Sequence, residues 1–144
     1  LTHIGLGLAN DYTKIVKNHG ESNRSVSFLG FKDNSEVDRI MNVSDLLLNP
    51  STVEGGCLVI KEAIDLNLPI LASDIACHKE MLGSKYPGLF IAKNCNSLSK
   101  KLKTFILDHK VRKLWKKSLL DSPLAFYKEK DEAKLLAELA KSIL

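Results

Sequence analysis

DLLLNPSTVEGGCLVIKEAIDLNLPILASD, residues Asp45 to Asp74, holds two apolar strand cores with a helix between them. Asp45 to Asn49 is a strand with a wholly apolar core, Leu46 to Leu48, ended by Pro50-Ser51. After two glycines, Leu58 to Asn67 reads as a helix that is apolar nearly all round. Pro69 to Ser73 is a second buried strand. Strands of this kind, apolar at successive positions rather than alternating, belong to sheets covered on both faces.

The same alternation continues outward in both directions. Val26 to Gly30 is a β-rich run closed by glycine, and Ser35 can cap a short helix carrying Val37, Ile40 and Met41. Further upstream lie a strand from Leu1 to Leu6 and a helix from Ala9 to His19, stopped by Gly20. Downstream, Gly88 to Ala92 reads as one more strand after a helical or looped stretch. Strands alternating with helices predict an α/β fold, a Rossmann-like parallel sheet with helices on both faces. Beyond residue 95 the pattern is helical. Leu98, Leu102, Phe105 and Ile106 form one stripe, and Leu135, Leu136, Leu139 and Ile143 form another on a terminal helix, with a break at Ser122-Pro123. The expected organisation is a core over 1–95 and a helical tail over 96–144.

Composition bounds the function. A chain of 144 residues is enough for one domain, and 44% apolar with 26% charged residues is ordinary for a globular protein. No apolar run approaches the ~20 residues of a membrane span, and no secretory signal is visible. Cys57, Cys77 and Cys95 are odd in number and lack a CxxC pair, so neither a disulfide framework nor a metal site is expected, and a cytoplasmic setting fits. The net charge of +4 is concentrated in Lys100, Lys101, Lys103, Lys110, Arg112, Lys113, Lys116 and Lys117. A solvated helical face accounts for this run; a peripheral contact with the inner face of an anionic membrane is the alternative. No aromatic platform is interleaved with the charges, so no nucleic-acid partner is expected.

In open parallel sheets, ligands sit at the carboxyl ends of the strands, where loops enter helix N-termini. Three such loops can be located, Gly5 to Asn10, Gly30 to Ser35 and Pro50 to Cys57, and the third is the informative one. Gly55 and Gly56 leave backbone N–H groups unscreened ahead of the helix, a site for phosphate or diphosphate. Glu54 stands just before that helix. Glu62 stands one to two turns inside it, with a side chain that leans back toward the same mouth. Two carboxylates beside an anion site suit a ligand that also carries hydroxyls. A nucleotide sugar has that combination. A dipole or capping role is the ordinary alternative for such glutamates, although an unpaired glutamate in an apolar helix is expensive.

These residues resemble the donor-binding domain of retaining glycosyltransferases of family 4, the C-terminal half of a GT-B fold. The resemblance rests on Phe28-Leu29-Gly30, Pro50-Ser51, Glu54-Gly55, Glu62-Ala63, the strand from Pro69 to Ala72, Ser73-Asp74 and Glu80, in order and at family spacing. It implies that Glu54 contacts hydroxyls of the transferred sugar and that the amides of Gly55, Gly56, Cys57 and Leu58 hold sugar and diphosphate. Glu62 would bind the ribose, and Phe31, Lys32 and Asp33 would border the base. It also implies no metal and no cofactor beyond a nucleoside-diphosphate sugar as donor substrate, consumed in transfer to an acceptor hydroxyl with retention. This sequence departs from the family in carrying Cys57 where glycine is usual and Gly56 where an aromatic is common. The family's first donor-domain strand and helix, and its acceptor-binding N-terminal domain, have no counterpart here, so a piece of a longer enzyme is expected, inactive alone. The acceptor (a glycan, lipid or small molecule) would bind through that other domain. His78, in a stretch read as a loop, is a weak acid–base candidate.

Other readings are a non-catalytic nucleotide-sugar-binding or regulatory module, and another enzyme of the same two-domain fold such as an epimerase. An NAD-dependent dehydrogenase would use Gly5-Leu6-Gly7, but the third fingerprint glycine is replaced by Asn10.

Overall fold

The computed structural model describes residues 1–4, 27–126 and 137–141, in two compact units, Leu1–Val43 and Ser44–Leu144. Gly5-Leu6-Gly7, the helix expected from Ala9 to His19, and most of the expected terminal helix lie outside the described residues.

In the first unit, strand β1 (Thr2–His3) pairs in parallel with β2 (Ser27–Phe28), with Thr2 opposite Ser27. The ladder is extended by Ser27 N–H to Leu1 O at 2.8 Å and Leu29 N–H to His3 O at 3.0 Å. Gly30 follows with φ of +68°, a left-handed turn that a β-carbon would oppose. Helix α1 (Asn34–Asn42) is capped by Asp33, not by Ser35 as expected. The Asp33 carboxylate accepts the Glu36 N–H at 2.9 Å, and Ser35 sits inside the first turn, donating its hydroxyl to Asp33 Oδ1 at 2.8 Å. An ionised acceptor aligned with the helix dipole makes the stronger cap.

The second unit runs β3 (Leu47–Asn49), α2 (Leu58–Asp65), β4 (Ile70–Ser73), α3 (Ala76–Leu82) and β5 (Leu89–Phe90). The three strands form a parallel sheet in the order β3-β4-β5, with Leu47 opposite Ile70 and Ala72 opposite Leu89. Every residue of the central strand β4 is buried, the apolar run Ile70 to Ala72 and the closing Ser73 alike. Sequence reading and structure therefore agree on an α/β fold with a parallel sheet.

Helices α4 (Cys95–Leu107) and α5 (His109–Leu119) follow, capped by the side chains of Asn94 and Asp108. Phe105 and Trp115 pack with Leu71 and Phe90 into one cluster, joined by Leu98, Leu102 and Val111. The Phe105 and Trp115 rings lie 5.1 Å apart, centre to centre. Ile106 is not part of this stripe: it is 59% exposed. At 3.6 residues per turn, Leu98, Leu102 and Phe105 span only about 60° of the helix, whereas Ile106 falls about 80° round from Leu98. Ser122-Pro123 opens a single 3₁₀ turn, Pro123–Phe126. Within the tail, residues 137–141 are helical, and Leu139 is 51% exposed.

Two close approaches hold β4 against β5. Tyr86 is buried, and its hydroxyl accepts the Ile70 N–H at 3.0 Å. Gly88 passes so near β4 that a β-carbon would collide with the Ile70 carbonyl and lie 2.6 Å from Tyr86 Cε1. Most of the basic side chains on α4 and α5 are exposed, as a solvated face requires, while Lys101 Nζ donates to Pro87 O at 2.6 Å. Among the described residues no helix is long and apolar enough to cross a membrane.

Candidate functional site

The carboxyl ends of β3 and β4 carry polar groups that an otherwise apolar sheet does not need. Asn49, the last residue of β3, is 7% exposed. Its Oδ1 accepts the Ser51 N–H at 3.1 Å and its Nδ2 donates to Cys57 Sγ at 2.9 Å. Ser73, the last residue of β4, donates its hydroxyl to Ser51 O. One asparagine and one serine thus pin both ends of the 50–57 loop to the sheet.

His78 lies on α3, not in a loop, and is fully buried. Its Nδ1 is 2.8 Å from Ser73 O and 3.1 Å from Ser73 Oγ. A carbonyl can only accept, so Nδ1 carries a proton and donates it to Ser73 O. Asp74 closes the same region: its Oδ1 accepts the Ala92 N–H at 2.9 Å, and Lys79 lies 3.6 Å from its other oxygen. The Ala92 amide, and then Lys79, hold the Asp74 carboxyl below its usual range.

On this platform the loop presents its predicted residues. Gly55 and Gly56 are exposed, and a β-carbon on either would meet nothing within 4 Å. Neither needs glycine for its backbone angles, so what they provide is unobstructed space. Cys57 stands at the N-cap of α2 without a side-chain cap bond. The intrahelical ladder begins with Ile60 N–H to Cys57 O at 3.0 Å, so the donors ahead of it have no intrahelical acceptor. An uncapped N-terminus behind two bare glycines has the geometry and the dipole that suit an anion. Glu54 is half-buried before this N-terminus, Leu58 begins the helix with its side chain exposed, and Glu62 is half-buried on the second turn.

Cys57 itself is buried, and burial pushes its thiol above the ordinary range, opposed by hydrogen bonds from the Ile60 amide and Asn49. A carboxylate oxygen of Glu54, the Cys57 sulfur and a ring nitrogen of His78 lie within 4.8 Å of one another. Phe31, Lys32 and Asp33 belong to the other unit, where each has a local setting. Phe31 is 71% exposed, Lys32 pairs with Glu36 at 3.2 Å, and Asp33 caps α1.

Sequence reasoning missed Asn49 and Ser73, and set His78 aside as isolated. The available signal was a polar residue ending each apolar strand, which becomes meaningful once the two strands are neighbours.

The profile of the family described as "Glycosyl transferases group 1" matches residues 4–119. The chain belongs to that family. As a group 1 glycosyltransferase domain it is 27% identical over 112 residues to protein CapJ of Staphylococcus aureus, a match covering 78% of this chain and 28% of CapJ. Its fold is similar to that of Anabaena HepE, solved with UDP and glucose (TM-score 0.79, 24% identity, 98% of this chain and 40% of HepE). It is also similar to sucrose-phosphate synthase from Thermosynechococcus elongatus (TM-score 0.76, 17% identity, 99% of this chain and 38% of the synthase). The fold matches the C-terminal portion of GT-B glycosyltransferases. The chain therefore spans well under half the length of these relatives.

Proposed function

We propose that this domain binds the donor in an enzyme that transfers a sugar from a nucleoside diphosphate to an acceptor hydroxyl, with retention at the anomeric carbon. The observation that carries the reading is the uncapped N-terminus of α2 behind Gly55 and Gly56, flanked by Glu54 and Glu62. The amides of Gly55, Gly56, Cys57 and Leu58 receive the diphosphate and sugar. Glu54 accepts hydrogen bonds from the sugar, Glu62 from the ribose diol, and Phe31, Lys32 and Asp33 border the base. HepE was solved with UDP and glucose, which supports a donor of this chemical class.

We assign acceptor binding, and further cations for the leaving diphosphate, to parts of the enzyme beyond this chain, since it covers only 40% of HepE. Residues 1–95 would then be the donor-binding core, and the tail over 96–144 would return toward the acceptor domain. The free thiols Cys57, Cys77 and Cys95 are in keeping with a reducing cytoplasm.

Calorimetry on the full-length enzyme tests the two carboxylates. Glu62→Ala should weaken nucleoside diphosphate binding by about 1.5–3 kcal/mol, the range for hydrogen bonds to a charged group. Glu54→Gln should lower kcat strongly while leaving nucleoside diphosphate affinity in place, the sign of an interaction used in the transition state. Unchanged nucleotide affinity in folded Glu62→Ala would sink the assignment.

A further inference from the structure

We propose that His78 is a positioning residue for sugar transfer: through Ser73 it fixes the start of the 50–57 loop, and through that loop the Glu54 carboxylate. The proposal rests on the donor-site reading above, in which Glu54 contacts the transferred sugar.

The connection is a chain of hydrogen bonds from helix to strand to loop. His78, in the first turn of α3, donates Nδ1–H to Ser73 O at 2.8 Å, with Ser73 Oγ 3.1 Å from the same nitrogen. The Ser73 hydroxyl gives its own proton to Ser51 O, so its lone pairs are the part left to face the ring. The donors therefore all point one way, and bonds ordered like this polarise and strengthen one another. Both His78 and Ser73 are fully buried, so water does not compete for the contacts they make.

The loop explains why Glu54 depends on this chain. Glu54 stands three residues after Ser51 and three before Cys57. Cys57 is anchored by Asn49, but Gly55 and Gly56 intervene, with broad backbone freedom and nothing packed against them. The stiffer route to Glu54 is the one from Ser51. The ring is also close by: a His78 nitrogen, the Cys57 sulfur and a Glu54 carboxylate oxygen lie within 4.8 Å of one another. Stability alone does not call for an imidazole at this position. Its Nε2 is buried without a hydrogen-bond partner among the described residues, a cost that leucine would not carry. What the imidazole adds over an apolar side chain is the bond from Nδ1.

The full-length enzyme is assayed for turnover of UDP-glucose, with UDP affinity measured by calorimetry. Folded His78→Leu and Ser73→Ala should each lower kcat by about tenfold to a hundredfold, the cost of a small misplacement at the reacting centre, and leave UDP affinity unchanged. His78→Asn, whose amide nitrogen takes the place of Nδ1, should recover most of the loss. His78→Gln, whose amide nitrogen falls at Nε2, should not. In a Glu54→Gln background His78→Leu should add little, because residues that act as a unit are not additive. Hydrogen–deuterium exchange without nucleotide should show the 51–57 loop less protected in His78→Leu than in the wild type. Unchanged kcat in folded His78→Leu, no recovery in His78→Asn, or a fall that multiplies with that of Glu54→Gln would each overturn the proposal. If His78→Leu does not fold, His78→Gln and Ser73→Ala take its place. A wild type that binds no UDP sinks the donor-site reading instead, and the exchange measurement then decides by itself whether His78 holds the loop.

Discussion

Alanine at Gly88 and alanine at Gly56 are the same chemical change with opposite expected effects. At Gly88 the new methyl group collides with the Ile70 carbonyl, lies 2.6 Å from Tyr86 Cε1 and 3.2 Å from Trp115. The Ile70 carbonyl is backbone of the central strand, and Gly88 O accepts the Ala72 N–H at 3.1 Å, so neither side can yield without loosening the β4–β5 ladder. Overpacking of this kind costs about 3 kcal/mol, the upper end of the usual range. At about 2.1 cal/mol/K per residue, a cooperative unit spanning Ser44–Leu144 loses roughly 14 °C in Tm. Gly56 is the reverse case, because its β-carbon would meet nothing within 4 Å and its φ is not left-handed. Alanine there should leave stability unchanged or raise it by about 0.4–1 kcal/mol through the unfolded chain. The same methyl group stands over the helix N-terminus. If it blocks one hydrogen bond to a phosphate oxygen, nucleoside diphosphate affinity falls by about 1.5–3 kcal/mol, tenfold or more. Thermal unfolding of both variants, with calorimetry on folded Gly56→Ala, reads both effects. Gly56→Ala binding nucleotide like the wild type would refute the anion-site argument; an unshifted Tm for Gly88→Ala would refute the close packing of β5 on β4.

Two further outcomes follow from single hydrogen bonds. Tyr86→Phe leaves the buried Ile70 N–H without its 3.0 Å acceptor and should lower stability by about 1–3 kcal/mol, measured by urea unfolding. Burial also pushes the Tyr86 phenol up, so spectrophotometric titration should show it ionising only as the protein unfolds in alkali. Asp74 is held below its usual range, chiefly by the Ala92 amide, so its contribution is fully present above the ordinary carboxylate range and is lost as pH falls through its lowered value. Asp74→Asn should therefore flatten the acid limb of the stability profile, and an unchanged limb would show that the Ala92 contact contributes nothing.

How much was legible depended on whether the signal was local. The strands over Asp45–Asn49 and Pro69–Ser73, the helix after Gly56 and the stripe of Leu98, Leu102 and Phe105 could be read because burial dictates residue type along a continuous segment. Asp33 taking the cap from Ser35 was a near miss of the usual kind, since helix boundaries are uncertain by a residue or two and either residue is a good cap. Ile106 was misplaced because a stripe read from sequence has no sharp edge, and only the packing of α4 on Trp115 and Phe90 determines which side of it is covered.

The site divides along the same line. The sequence alone determined that residues 50–62 bring a helix start, two glycines and two carboxylates into a single segment, because adjacency along the chain suffices for that. It could not determine that Asn49 reaches Cys57, that Ser73 holds Ser51, or that His78 lies beside Glu54 and Cys57. Those meetings join residues on different strands and helices, with His78 more than twenty positions from both partners. They exist only because β3 and β4 pair in parallel, which carries both strand ends, and the loops that leave them, to the same edge of the sheet.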